Sequence, residues 1–495
     1  MNASWAHPVL TGAETMALEQ RLLDNEGAEW RAMQLAGRAV AAAVANDFRE
    51  IGGVPDCHRV LVLVGKGHNG GDACIAAEAW LQRHPGATAE VLLVYGTAAL
   101  RPLALRAWQE LQHRHGTRVQ PVSVAGLAAD YALSLDGVFG FQFRPPLEGA
   151  AAAALEAANQ CSVRLRAAVD LPSGGGEPAA FRADFTYATG VVKREALSRL
   201  NAGRLRYLDL GFFDESPPPS DDFVINDAVL APLRTWRDPV TEKRREGQVF
   251  VLAGSRRYPG AALMAVTAAL CSGSGLVTAF VPESLVPAFA AQVPEAIWIG
   301  WPETPEGGLA LEGRHLLRER LARASALVLG PGLGREPETL ALAADVLKTV
   351  TAPVVVDADA LQPEVITGAT APLVLTPHAG EFARIAGQLS LREFAAKTGA
   401  TVVFKGPRTQ VCAGEVVYHQ LFGGPVLARG GSGDLLAGIL GSQVARSPQD
   451  VLAAVCRGVV WHGRAADALA RAHGVHAVRT TQLLDFLSAA LRVPA

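Results

Sequence analysis

Gly430-Gly431-Ser432-Gly433-Asp434-Leu435-Leu436-Ala437-Gly438 decides how the second half of this chain is read. Glycines around Ser432 let the backbone turn tightly and bring several amide N–H groups to one point. The apolar run that follows has the character of a helix, whose first amides are unpaired and whose dipole is positive at that end. Together they form a cradle for a phosphate, or for the charge that develops as a phosphoryl group moves. Asp434 stands in the first turn, where a carboxylate can take the proton of an attacking hydroxyl. Glycine-rich turns are common, and by itself the stretch also reads as a flexible loop with Asp434 as a helix cap.

Upstream of it, short apolar runs end one after another in polar or glycine-rich signatures. Gln248 to Gly254 opens the loop Ser255 to Ala262, and later runs end in Gly330-Pro331-Gly332-Leu333-Gly334 and Asp357-Ala358-Asp359. Thr376-Pro377-His378-Ala379-Gly380-Glu381 and Lys405-Gly406-Pro407-Arg408-Thr409 complete the series. Helical stretches lie between most of them, so the expectation is α/β, a largely parallel sheet covered on both faces. Signatures gathered at one sheet edge predict a large ligand cleft there. No G-x-x-x-x-G-K-[ST] motif occurs, so a nucleotide must be held in another way. Lys405 and Arg408 offer positive charge and Thr409 a hydroxyl; His378 alone reads as a structural loop histidine.

The first half repeats the logic. Ala- and Leu-rich segments over 12–50 read as helices, and Arg59 to Val64 as a buried parallel strand. That strand enters Gly65-Lys66-Gly67-His68-Asn69-Gly70-Gly71-Asp72, followed by a helix and a strand from Ala89 to Tyr95. The turn matches G-x-G-x-x-G, but the second strand ends in Val94-Tyr95-Gly96, without the acidic residue an ordinary dinucleotide site uses on ribose. Two more strand ends carry carboxylates: Asp136 before the loop Gly140 to Pro146, and Asp170 in Asp170-Leu171-Pro172-Ser173-Gly174. Asn69, Asp136 and Ser173 then offer an amide oxygen, a carboxylate and a hydroxyl on neighbouring strand tips. Hard oxygen donors of this kind suit an alkali or alkaline-earth cation; turn capping is the plainer account of each residue alone.

The whole chain sets the bounds. At 495 residues it exceeds one core, and 49% hydrophobic with 19% charged residues marks a globular protein. A net charge of −3 gives no reason to expect nucleic-acid or membrane binding. Six scattered cysteines without metal spacing fit a reducing compartment. No signal peptide and no run of about 18 apolar residues are evident, so the expected location is the cytoplasm. The polar, proline-stiffened Ser216 to Asp222 is the expected linker between domains 1–222 and 223–495.

In this order the Gly-x-Gly-x-Asn-Gly-Gly-Asp turn, the strand end at Asp136 and Asp-x-Pro-Ser-Gly resemble the YjeF N-terminal family of NAD(P)H-hydrate epimerases. His68 and Ala73 depart from the family's usual Asn and Gly. The resemblance implies a Rossmann-like fold and a K⁺ held by Asn69, Asp136 and Ser173. It also implies hydrate contacts from His68, Asn69, Gly70, Gly71, Asp72, Gly140, Phe141, Gln142, Phe143, Arg144, Pro145, Pro146 and Asp170. Asp170 is the implied acid/base group.

From about Gln248 onward the motif series resembles the YjeF C-terminal family, ribokinase-like ADP- or ATP-dependent NAD(P)H-hydrate dehydratases. That implies hydrate contacts by Ala262, Gly332, His378 and Asp434, and a nucleotide held by Lys405, Gly406, Pro407, Arg408, Thr409 and Gly433. Gly431, Ser432 and Gly433 form the anion hole and Asp434 is the implied base. ADP as phosphoryl donor, Mg²⁺ in this domain, hydrated NADH and NADPH as substrates and a homo-oligomer complete the expectation. Two rivals stand beside it: a ribokinase-type small-molecule kinase, and an active dehydratase carrying a non-catalytic N-terminal binding module.

Overall fold

The structure, a computed structural model, describes residues 4–214 and 217–492. Residues 1–3, where a signal peptide would begin, and Ser216, the first residue of the expected linker, lie outside the described residues. In chain order the first elements are β1 (Ala6–Pro8), α1 (Gly12–Leu22), α2 (Glu26–Phe48), β2 (His58–Val64), α3 (His68–Arg83) and β3 (Ala87–Leu93). Then come α4 (Pro102–His115), β4 (Val119–Pro121), β5 (Asp130–Gly137), α5 (Gly149–Gln160), β6 (Ser162–Val169), β7 (Phe185–Thr189), α6 (Arg194–Ser198) and β8 (Arg204–Leu208). The second half opens with β9 (Asp222–Ile225), β10 (Gln248–Leu252), α7 (Pro259–Cys271), β11 (Leu276–Pro282), α8 (Val286–Gln292), β12 (Ile297–Trp301) and α9 (Arg314–Arg318). It continues with β13 (Ala326–Leu329), α10 (Pro337–Thr349), β14 (Val354–Val356), α11 (Pro363–Ile366), β15 (Leu373–Leu375), α12 (Ala379–Ala386) and α13 (Leu391–Thr398). The last elements are β16 (Thr401–Phe404), β17 (Gln410–Ala413), β18 (Val416–His419), α14 (Ser432–Arg446), α15 (Val451–His473) and α16 (Leu487–Ala490).

Seven strands form the first sheet in the order β4-β3-β2-β5-β6-β7-β8, all parallel. Alternation along β2 explains its covering. Val60, Val62 and Val64 pack with Trp30, Met33 and Trp80 on one face, and Leu61 and Leu63 pack with Ala154 and Leu155 on the other. The second sheet has eleven strands in the order β1-β9-β18-β17-β16-β15-β14-β13-β10-β11-β12. Its middle, from β16 to β12, is parallel, while β17 and β18 form antiparallel pairs at one side. Strand order reverses between β2 and β5 in one sheet and between β10 and β13 in the other. These reversals open a crevice at the carboxyl ends of the strands, where α/β folds bind ligands.

Strand ends fall within a residue or two of the expected ones, but three features differ from the sequence reading. β1 lies near the N-terminus yet pairs antiparallel with β9 in the second sheet. Two residues further on, Leu10 bridges to Lys193 of the first half. The segment 6–10 is therefore a strap joining the second sheet to the loop after β7. The expected linker also ends pinned: Asp222 carries an ion pair from Arg392 (2.9 Å) and a hydrogen bond with His419 Nε2 (2.9 Å), and it is already the first residue of β9. The β17–β18 hairpin interrupts the helix–strand alternation that periodicity led us to expect. Among the described residues no helix is long and apolar enough to cross a membrane.

A buried ion network ties the halves together. Arg206 on β8 donates to Asp47 Oδ1 at 2.8 Å at the end of α2 and to Asp467 Oδ2 at 2.9 Å on α15. Arg204 donates to the same Asp467 (2.9 Å) and to the Gly423 carbonyl (2.6 Å), and Arg471 reaches Asp47 (3.1 Å). Burial would raise the Asp47 carboxyl, but Arg206 and Arg471 hold it below the usual range. Removing one partner strands the rest in a dry environment. Arg206→Met should cost about 3 kcal/mol, at the lower end for such a loss because Arg204 and Arg471 remain. Denaturant titration checks it, and an unchanged midpoint would show that the network contributes nothing.

Candidate active sites

The first crevice begins where β2 runs into Gly65. A Cβ there would lie 1.9 Å from the Val138 carbonyl oxygen, so only glycine lets the two strand ends close. The sequence reads residues 65–72 as one turn; in the structure α3 already begins at His68, capped by Gly67. His68 to Asp72 therefore sit on the first turns of a helix. Gly70 and Gly71 are packing residues, and added Cβ atoms would strike the Gly65 oxygen (2.4 Å) and the Met33 sulfur (2.5 Å).

A cavity of about 510 Å³ opens over this point, lined in part by His68, Asn69, Asp72, Gly140, Phe141 and Asp170. Gln142, Phe143, Arg144 and Pro146 line it too; Pro145, Gly70 and Gly71 do not. Asn69 Nδ2 donates to the carbonyls of Phe139 (2.9 Å) and Val169 (3.1 Å). Its Oδ1 faces Gly140, where a Cβ would lie 3.5 Å from it and 3.4 Å from Asp170 Oδ2. Asp170 adopts a left-handed backbone (φ 66°), a conformation rare outside glycine but open to Asp, and such residues cluster at functional sites. Its Oδ1 is ion-paired with the ammonium of Lys193, which is fully buried. His68 is half-exposed at the mouth, its Nε2 3.7 Å from Glu29 Oε2. Burial first, then Asp170 and Glu19, push the Asp72 carboxyl well above its ordinary value.

Asp136 and Ser173 lie just beneath. Ser173 donates its hydroxyl to Asp136 Oδ1 (2.6 Å) and its amide to Oδ2 (2.8 Å), while accepting from the Phe139 amide (2.7 Å). Burial raises Asp136 to about 6, with the Ser173 and Val138 hydrogen bonds pulling back. None of its hydrogen-bond partners carries a positive charge.

The second crevice is built around α14. Its N-cap Gly431 is left-handed (φ 88°), and a Cβ there would meet the Met264 sulfur at 2.5 Å. Thr480 Oγ1 donates to the Gly430 carbonyl (2.9 Å) and fixes the turn from behind. Asp434 follows in the first turn, raised to about 6 by burial and by the neighbouring Asp357, with Lys405 opposing. Lys405 Nζ donates to Asp357 Oδ1 (2.7 Å), and a Cβ on Gly433 would lie 3.3 Å from that ammonium. Burial lowers Lys405, but Asp357 and Glu381 outweigh it and leave it above the ordinary value. Thr376 Oγ1 donates to the same Asp357 oxygen (2.6 Å), and Ala358 next to it is left-handed (φ 51°). Strained non-glycine backbone thus follows a strand end at both crevices.

The remaining expected residues fall in different places. Gly332 is left-handed (φ 64°) against the Tyr258 carbonyl, where a Cβ would lie at 2.6 Å. Ala262 is fully buried in the first turn of α7. His378 caps α12, its Nδ1 accepting from the amides of Gly380 (3.0 Å) and Glu381 (3.3 Å), while its Nε2 lies 3.4 Å from Glu381 Oε1, so one nitrogen is structural. Gly406 and Pro407 are exposed, Thr409 Oγ1 bonds the Gly406 carbonyl (3.3 Å), and Arg408 turns toward the Ala196 carbonyl (3.4 Å) of the first half. The sequence assigns no site role to Glu19, Lys193 or Asp357. Lys193 follows β7 as other site groups follow their strands, a usable signal. Glu19 lies inside a helix, which offers none.

Fold and crevices together define a fusion of two α/β enzyme units, one with a carboxylate–lysine cavity and one with a glycine turn that opens α14 beside Asp434 and Lys405. A family model described as YjeF-related protein N-terminus matches residues 30–195, and one described as NAD(P)H-hydrate dehydratase matches residues 249–489. The chain is 34% identical to the bifunctional NAD(P)H-hydrate repair enzyme of Moorella thermoacetica, over 93% of this chain and 92% of that one. It is 37% identical to that of Gloeobacter violaceus, over 92% and 93%. A crystal structure of an ADP/ATP-dependent NAD(P)H-hydrate dehydratase from Bacillus subtilis, co-crystallized with ATP/Mg²⁺, is 29% identical over 52% of this chain and 92% of that chain, with a TM-score of 0.44. The chain belongs to the family of bifunctional NAD(P)H-hydrate repair enzymes.

Proposed function

We propose that this chain repairs hydrated nicotinamide cofactors: residues 1–222 interconvert the R and S hydrates, and residues 223–495 dehydrate the S form using ADP. The observation that carries the reading is Asp434, raised to about 6, beside the amides of Gly431 to Gly433 at the start of α14. Hydroxide is a poor leaving group and phosphate a better one. Asp434 takes the proton of the hydrate's hydroxyl as that oxygen attacks the terminal phosphorus of ADP, and AMP departs. The amides stabilise the charge on the moving phosphoryl group. The ring nitrogen's electron pair then expels phosphate, and loss of a proton from the adjacent carbon restores NAD(P)H.

Lys405 to Thr409 and Gly433 would hold the nucleotide. Among the described residues no group of three His, Cys, Asp or Glu could hold a metal ion. Mg²⁺ therefore fits this site as a partner of the nucleotide's phosphates, whose charge it neutralises.

In the first cavity, Asp170 is the acid/base group at the epimerising carbon. Asn69, Asp136 and Ser173 fit K⁺: the donors are oxygens, and buried Asp136 has only neutral hydrogen-bond partners, so a monovalent cation supplies the missing charge. Exchange of K⁺ for Na⁺ should slow epimerisation, and Asn69→Ala should remove that response; an Asn69→Ala chain that still responds to K⁺ rules the site out. Free cysteines throughout fit a reducing cytoplasm. A homo-oligomer is part of the reading, checked by light scattering.

The whole reading is tested with racemic NADH hydrate and ADP, following recovery of the reduced-nicotinamide absorbance. Full recovery supports both activities, half recovery supports the dehydratase alone, and none rejects the reading.

A further inference from the structure

We infer that Glu19 is a second catalytic acid of the first cavity, delivering a proton to the hydrate's hydroxyl while Asp170 serves the opposite face. The inference rests on the epimerase reading of this cavity.

Helix α1 is anchored so that Glu19 meets the cavity. Thr11 and Glu14 form a capping box at its start, and Leu18 and Leu22, one turn apart, pack with Leu10, Val191 and Phe213. The neighbouring position, Glu19, lines the cavity together with Asp72, Asp170 and Lys193. Two carboxylates of this cavity differ in their surroundings. Asp170 is locked in an ion pair with Lys193, whereas Glu19 makes no salt bridge among the described residues. Burial raises Glu19 to about 7, Asp170 and Glu29 add to this, and Lys193 opposes it. Asp72 is the other acid that feels it. A carboxyl without a cationic partner, beside one ion-paired to an ammonium, is placed to take the opposite part in proton transfer. The residue lies outside the stretch 30–195 that the N-terminal family model matches.

The step balances without an added reagent. The Glu19 proton passes to the hydroxyl oxygen, the carbon–oxygen bond breaks, and water leaves as the ring nitrogen's electron pair forms a carbon–nitrogen double bond. Water then adds from the other face, giving its proton to Asp170. Transfer of that proton back to Glu19 through cavity water resets the site, and in the reverse direction the two carboxyls exchange parts.

The test uses the full chain, pure R hydrate and chiral separation of R from S without ADP. The unmodified chain should lose rate as pH rises through about 7, because an acid must be protonated to act. Glu19→Gln should lower kcat about 10²–10³-fold, leave KM within about twofold, and flatten that alkaline fall. Dehydration of S hydrate with ADP reports that the variant is folded. A Glu19→Gln chain with unchanged kcat, or one that keeps the alkaline fall, overturns the inference while the epimerase reading stands. An unmodified chain that does not epimerise overturns both.

Discussion

Asp434→Asn should abolish ADP-dependent recovery of NAD(P)H while leaving interconversion of the R and S hydrates unchanged. The substitution keeps size and the start of α14 but removes the carboxylate that stands in the first turn beside the amides of Gly431 to Gly433. Loss of such a base costs about 10²–10⁴ in rate. The chain also carries a pH signature. Burial and Asp357 raise Asp434 to about 6, and a base acts only when deprotonated. The wild-type kcat/KM for dehydration should therefore rise with pH through about 6 and then level. Quantifying AMP and inorganic phosphate beside the absorbance separates chemistry from binding. A variant that still releases AMP at the wild-type rate would assign the proton to another group.

Asp170→Asn should remove epimerisation by a similar factor, about 10²–10⁴, and leave dehydration of the S hydrate untouched. Asn tolerates the left-handed backbone that Asp170 adopts, so the strand end keeps its shape. Lys193, however, is fully buried and loses its ion-pair partner, so a lower unfolding midpoint should accompany the loss. With racemic hydrate and ADP, recovery should then stop at half. Full recovery at the wild-type rate by a folded variant would dismiss Asp170 as the acid/base group.

Much of this was legible before folding. Strands such as Val60 to Val64 are continuous apolar runs suited to burial between two helical layers, and most end in a polar or glycine-rich signature. Spacing along the chain was enough to put Asp136 and Asp170 at the ends of neighbouring strands, and Asp434 behind a glycine turn, whereas Asn69, expected on a strand tip, sits in the first turn of α3. Pairings between distant segments were not legible. Nothing in Glu14-Thr15-Met16-Ala17-Leu18-Glu19 distinguishes a surface glutamate from one facing a cavity, because both suit an amphipathic helix equally. His378 shows the opposite case, where a histidine expected at the substrate spends one nitrogen on capping α12.

Local chemistry thus determined the element types, the two α/β units and the motifs at their strand ends, since each depends on residues within a few positions of one another. Tertiary structure decided that β1 crosses to the far sheet, that Lys193 closes on Asp170, and that Arg206 reaches Asp467 on α15 across the junction between the halves. These contacts join residues 23 to 261 positions apart. Their free energy comes from burial and charge pairing in the assembled core, which no single stretch of chain records.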